Sequence, residues 1–305
     1  MNKSIRACLS VATFATLHHA SVLIAQPLKA GAPRPSMLTT TKWLNDHLRD
    51  ANLVVLQVST KAQFDSAHIP GARQVALSEI SLTAAESKLS LELPAPAKLK
   101  AWAEANGIGN NTRIVVVQND SVLQSATRVF LTLAYMGAMD RTTLLDGGMQ
   151  AWRAENHPTT TDALVAPKPA TFDLKLRPEL IATMQDVERA IDDKKISIVD
   201  ARLSRFYNGD GGGYPRAGHI PNALNIPLNT VSERGFLKDS TSLRKLFVDA
   251  GVSQGKSVVT YCHIGQQASL LWFVATMLGY DARMYDGSFQ EWSGTERLPV
   301  VGKPN

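Results

Sequence analysis

Cysteine is almost missing from this sequence: among 305 residues only Cys8 and Cys262 carry a thiol. A disulfide framework is therefore excluded as the source of stability. No set of cysteines or histidines has the spacing of metal ligands, so no metal site is expected. After the first thirty residues no apolar run is long enough to cross a bilayer. Charge is modest at 19%, against 44% hydrophobic residues, which is an ordinary globular composition. The length accommodates two domains.

The first 32 residues have the pattern of an export signal. Lys3 and Arg6 form a basic start, Ala7 to Ala25 is mostly apolar and uncharged, and Ala30-Gly31-Ala32 offers a small-residue cleavage site. Cleavage after Ala25 and retention as an anchor are the alternatives, and His18-His19 interrupt the apolar stretch. The expected location is periplasmic or secreted. Losing Lys3, Arg6 and Lys29 takes the formal charge from +5 to +2, so the basic balance is no argument for nucleic-acid binding. Cys8 leaves with the signal, and Cys262 remains as the lone thiol.

Ser257 to Tyr280 surrounds that thiol. Val258-Val259-Thr260-Tyr261 reads as a buried strand, Ala268 to Leu278 as an apolar helix, and Cys262-His263-Ile264-Gly265-Gln266-Gln267 as the loop between them. A cysteine between a strand end and a helix N-terminus faces unpaired backbone N–H groups and a positive dipole end. That field favours the nucleophilic thiolate.

The chain repeats itself. His68-Ile69-Pro70 returns as His219-Ile220-Pro221, Gly137 as Gly279 and Asp146-Gly147 as Asp286-Gly287, at offsets of 151, 142 and 140 residues. Strand and helix patterns alternate in each half, which predicts two α/β domains with mainly parallel sheets flanked by helices. The expected bounds are 37–158 and 179–300, joined by a surface linker over 159–178 rich in Thr, Ala, Pro and Lys. Alignment on the helix-closing glycines puts Asp120 where the second half has Cys262, so one active site is expected, in the second domain. His68 and His219 recur in both halves, which favours a structural turn over metal binding. Asp146 and Asp286 read as turn or cap residues, Trp152 and Trp292 as core.

Taken in order, Val199-Asp200-Ala201-Arg202, Gly218-His219-Ile220-Pro221, Tyr261-Cys262 with its Gly-containing loop, and Tyr285-Asp286-Gly287-Ser288-Phe289-Gln290-Glu291-Trp292 resemble the tandem-domain rhodanese sulfurtransferases, over about Met37 to Val300. The resemblance implies a Cys262 persulfide, loaded from a donor such as thiosulfate and unloaded onto cyanide or a thiol, in two half-reactions without a cofactor. It implies a cradle of N–H groups from His263 to Ala268. It also implies an arginine for an anionic donor, for which Arg205 is the nearest candidate after a one-residue gap. Arg202 reads as a structural ion-pair partner of Asp200. His263 stands where relatives carry a basic residue, so donor affinity is expected to vary near neutral pH. Ile264, Gly265, Gln266 and Gln267 complete the expected substrate-binding loop. Partners are then a small-molecule donor and acceptor, with no nucleic acid and no stable membrane association after cleavage. A tandem pair buries its own inter-domain surface, so a monomer is expected.

Three alternatives compete. Phosphatases and arsenate reductases with a Cys-x5-Arg loop need an arginine at position 268, where this chain has Ala268. Mercaptopyruvate sulfurtransferases tend to carry Cys-Gly-[Ser/Ala]-Gly-Val-Thr, unlike Cys262-His263-Ile264-Gly265-Gln266-Gln267. A non-catalytic module that hands persulfide to a partner protein is the third.

Overall fold

The computed structural model describes residues 37–120, 122–163, 166–211 and 213–302. The expected signal, 1–32, lies outside them.

The first domain runs β1 (Leu38–Thr39), α1 (Thr41–His47), β2 (Leu53–Val58), α2 (Lys61–Ser66), β3 (Arg73–Val75), α3 (Pro96–Ala105), β4 (Arg113–Gln118), α4 (Leu123–Tyr135), β5 (Thr142–Leu145) and α5 (Gly148–Ala154). Its five strands pair in parallel in the order β1-β5-β4-β2-β3. The second domain runs β6 (Ile181–Ala182), α6 (Met184–Ala190), β7 (Ile196–Asp200), α7 (Ser204–Tyr207), β8 (Leu224–Asn225), β9 (Ser232–Glu233), β10 (Phe236–Leu237), α8 (Ser240–Asp249), β11 (Ser257–Tyr261), α9 (Gln266–Met277), β12 (Ala282–Tyr285) and α10 (Ser288–Gly294). Its parallel sheet has the equivalent order β6-β12-β11-β7-β8, and β9 with β10 forms a separate antiparallel hairpin.

The central strands are apolar on both faces because helices cover both. In the first sheet Leu56, Ile114 and Val116 pack under α3 and α4, while Val55, Val115 and Val117 meet Leu44 of α1, Phe64 of α2 and Trp152 of α5. The second sheet repeats this, with Val187, Phe289 and Trp292 on the face of Val259 and Tyr261. Trp152 and Trp292 are fully buried and donate their indole N–H groups to the Pro158 and Pro299 carbonyls, both at 2.8 Å. The domains meet through α4 and α9. Phe130 packs edge-on to Phe273 with centroids 4.9 Å apart, and the Thr127 and Ser269 hydroxyls lie 2.9 Å apart. One apolar cluster runs through this contact from sheet to sheet.

Strand register corrects the expected counterpart of the cysteine. Val116 pairs with Leu144 of β5, and Thr260 pairs with Met284 of β12. Two residues further along stand Gln118 and Cys262, so Gln118 holds the equivalent place and Asp120 lies beyond it. The first domain has two more residues between this point and its helix-closing glycine, which shifted the glycine alignment.

Candidate active site

Cys262 follows the last residue of β11 and is fully buried. Its backbone is held by the turn that opens α10. The Cys262 N–H donates to Ser288 Oγ at 3.2 Å, the Phe289 N–H donates to the Cys262 carbonyl at 2.9 Å, and the Gln290 N–H to the His263 carbonyl at 3.0 Å. Ser288 adopts φ +50, a left-handed conformation uncommon for a residue with a side chain. Its first-domain counterpart is Gly148, at φ +52. The strand end and helix start are tied together by Thr260 Oγ1, which donates to the Ala268 carbonyl at 3.0 Å.

Helix α9 begins two residues earlier than expected, at Gln266, with Gly265 at φ +80 as its N-cap and no side-chain cap. Its amides are left for the thiol. Burial pushes the Cys262 thiol pKa up, and the backbone N–H groups of Ala268, Ile264 and Gln267 pull it back down, with nearby Asp200 adding a small upward push. The net direction is upward. This corrects the expectation that the helix N-terminus leaves the thiolate favoured: the cradle is there, but desolvation of the sulfur outweighs it.

Asp200 and Arg202 form a buried pair beside the thiol. Arg202 Nη2 lies 2.6 Å from Asp200 Oδ2, its Nε lies 3.0 Å from both carboxylate oxygens, and Nη2 also donates to the Gly218 carbonyl at 2.7 Å. The guanidinium sits 4.0 Å over the Phe289 ring. Burial opposes the Arg202 charge, but Asp200 more than offsets it and the pKa rises above its ordinary range. Arg202 is thus the structural ion-pair partner that its motif position implied.

His263 lies between aromatic rings, stacked on Tyr214 at 5.3 Å and edge-on to Phe206 at 4.8 Å. Burial and then Arg202 push its pKa down to about 4. It is neutral at pH 7, so the expected titration near neutrality moves well into acid. Arg205 is exposed and caps this stack from outside, its guanidinium 4.4 Å from the Phe206 centroid. Phe206 and Tyr214 were not anticipated, since single aromatics in a loop carry no periodic signal.

The remaining loop residues divide by role. Gln266 Nε2 donates to Ser125 Oγ at 2.8 Å, so its amide is committed to the first domain rather than to a bound donor. Gly265 is packed on Asp286 and Arg128 and serves as scaffold. Ile264 and Gln267 contribute amides to the thiol, and Gln267 Oε1 and His263 Nδ1 are buried polar atoms without partners. Buried polar atoms of this kind are rare in native proteins. Asp286 is not a simple turn residue: it pairs with Arg128, 2.7 Å away. The two His-Ile-Pro histidines are matched and structural. His68 and His219 stack on Phe64 and Tyr207 at 3.9 and 3.7 Å, and their Nδ1 atoms bond the carbonyls of those same residues.

A buried thiol ringed by amides at a helix start can form and stabilise a covalent sulfur adduct, and comparison with known proteins agrees. The rhodanese-like domain family matches residues 40–155 and 183–295. The chain is 33% identical over 287 residues to the sulfur carrier protein TtuD of Thermus thermophilus, covering 89% of this chain and 98% of that protein. It is 30% identical over 276 residues to thiosulfate sulfurtransferase of Rattus norvegicus, covering 84% and 91%. The 3-mercaptopyruvate sulfurtransferase structure SseA of Escherichia coli superposes with a TM-score of 0.74 at 25% identity, over 83% of this chain and 98% of that one. The chain therefore belongs to the rhodanese-type sulfurtransferase family, as a tandem protein with two rhodanese-like domains.

Proposed function

We propose that the protein transfers a sulfane sulfur from thiosulfate to a thiophilic acceptor through a persulfide on Cys262. The observation that carries this reading is the ring of Ile264, Gln267 and Ala268 amides on the Cys262 sulfur, with no guanidinium in the loop that encloses it. In the first half-reaction the Cys262 thiolate attacks the outer sulfur of thiosulfate. A bond forms between the two sulfurs, the S–S bond of the donor breaks, and sulfite leaves with the electron pair. The amides then face the outer, negatively charged sulfur of the persulfide. In the second half-reaction cyanide or a thiolate attacks that outer sulfur, and the Cys262 thiolate is released.

An arginine at the mouth suits an anionic donor, and exposed Arg205 supplies one beside the aromatic stack. The first domain has Gln118 where the second has its thiol, so we assign turnover to the second domain alone. A second reading is relay of the persulfide to a protein acceptor, favoured by the likeness to a sulfur carrier over nearly its whole length. We also read the protein as an exported monomer, to be checked by N-terminal sequencing of the mature form and by its elution in gel filtration.

The test is a parallel assay with thiosulfate and 3-mercaptopyruvate, using cyanide as acceptor, on wild type and Cys262→Ser. A thiosulfate preference that disappears in the variant is expected. Full activity in Cys262→Ser would overturn the reading. A preference for mercaptopyruvate would move the assignment to that donor. Sulfur loading without turnover on any small acceptor would favour the relay.

A further inference from the structure

The first domain has no thiol, yet it places a buried cation under the Cys262 loop. Arg128 of α4 is fully buried, with Nη1 2.7 Å from Asp286 Oδ1, an ion pair by proximity without hydrogen-bond alignment. A Cβ built on Gly265 would lie 2.9 Å from the Asp286 carbonyl oxygen and 3.1 Å from Arg128 Nη1. The turn of the loop thus rests directly on this pair. Arg128 Nη2 donates to the carbonyl of Leu91, a residue held at φ +58. Asp286 Oδ2 accepts the Leu93 N–H at 2.9 Å, and Gln290 Oε1 accepts the Ser90 N–H at 2.8 Å. Asp286 is also two residues before Ser288, whose hydroxyl receives the Cys262 amide. One guanidinium therefore joins an arm of the first domain, the turn behind the cysteine and the loop around its sulfur.

The opposite contact shows what is special here. The hairpin of β9 and β10 reaches back to the first domain, where Gln118 Nε2 donates to the Gly235 carbonyl at 3.0 Å and Phe236 covers Gly147. The offsets that relate the two halves place Leu270 where α4 has Arg128, and Asp146 where the second domain has Asp286. No ion pair to Asp146 occurs among the described residues. A tie needed only to hold two domains together serves either side equally. The charged one stands on the side of the thiol.

We propose that Arg128 is a positioning residue for the sulfur-carrying loop, acting through Asp286 and Gly265 to keep the Ile264, Gln267 and Ala268 amides on Cys262. Its kinetic consequence rests on the sulfurtransferase reading; its effect on the thiol does not. The test measures iodoacetamide alkylation of Cys262 against pH, beside steady-state sulfur transfer, in Arg128→Met, Arg128→Gln and Arg128→Lys. Asp200, Arg202, His263, Tyr214 and Asp286, the other ionisable groups around the site, are unchanged in these variants. Losing the amides of the cradle moves the alkylation profile to higher pH, by on the order of one unit for Arg128→Met. It lowers kcat by roughly ten- to a hundredfold, with a smaller change in KM, because the loss is one of geometry at the reacting atom. Arg128→Lys recovers part of both, since one ammonium cannot bridge Leu91 and Asp286 as the planar fork does. Should Arg128→Met fail to fold, Arg128→Gln, neutral but still a donor to Leu91, decides the matter by the same two readouts. A folded neutral variant with wild-type alkylation profile and kcat overturns the proposal, as does a lysine variant no better than the neutral ones. If wild type transfers no sulfur from any donor, the function fails while the alkylation profiles still judge Arg128.

Discussion

Ser288 Oγ accepts the Cys262 amide hydrogen at 3.2 Å and passes its own hydrogen to the Tyr285 carbonyl at 2.9 Å. The hydroxyl is available there only because Ser288 tolerates φ +50, where the first domain uses glycine. Strain and hydrogen bond therefore offset each other. Ser288→Gly strands the buried Cys262 N–H, at about 1–3 kcal/mol, but relieves a left-handed conformation worth about 1 kcal/mol. Its thermal midpoint should stay within a few degrees of wild type, while sulfur transfer falls. Ser288→Ala strands the same N–H and keeps the strain, so it should lose about 1 kcal/mol more than Ser288→Gly in urea unfolding. Equal stability of the two variants would refute this account.

Arg202 gives a sharper loss. Its bidentate contact with Asp200 is wholly buried, so Arg202→Met leaves an unpaired carboxylate in the core and should cost roughly 3–5 kcal/mol. Arg202→Lys preserves charge but not the fork or the stacking on Phe289, and should recover only part of this. Denaturant midpoints rank the three proteins. A lysine variant as stable as wild type would reduce Arg202 to a point charge.

His263 sets an acid limit. Its pKa is about 4 in the fold, against an ordinary value of 6.5, chiefly through burial. The unfolded chain binds the proton first as pH falls, so native stability drops between pH 6.5 and 4 and is flat below. The full shift corresponds to about 3–4 kcal/mol, and solvent screening at the partly exposed ring makes the loss smaller. His263→Phe should lessen the difference in unfolding free energy between pH 7 and pH 4.5 by about 2 kcal/mol. If both proteins show the same pH dependence, His263 is not the group responsible.

Much of this was legible in the residues alone. The runs Leu53–Val58 and Arg113–Val117 are apolar because both sheet faces are covered, and they appear as strands at those positions. The two-residue strands β1, β6 and β8 were invisible, being too short for any period. The start of α9 was misplaced because Gly265 opens it through backbone conformation and not through a capping side chain. Asp286 looked like a turn residue because its partner Arg128 is 158 positions away, and a contact across two domains leaves no local pattern. The direction of the Cys262 shift was misjudged because burial of the sulfur depends on the whole pocket.

Gly265 combines both kinds of constraint, and its replacement should be the most damaging small change in the loop. At φ +80 any L side chain is disfavoured, and a Cβ would lie 2.9 Å from the Asp286 carbonyl and 3.1 Å from Arg128 Nη1. Neither neighbour can yield freely, since Asp286 is fixed by Leu93 and Arg128 by Leu91. Gly265→Ala should therefore lose at least about 1 kcal/mol from conformation alone. The clash must then displace the loop that carries the amides, so activity should fall further than stability. Gly255 supplies the control: it has φ +83 with open space around it, so Gly255→Ala meets the same backbone preference without a clash. Urea unfolding should show a smaller loss for Gly255→Ala, and sulfur-transfer assays should show unchanged turnover. Equal stability and activity losses in the two variants would mean that contact with the Arg128–Asp286 pair contributes nothing beyond glycine's backbone freedom.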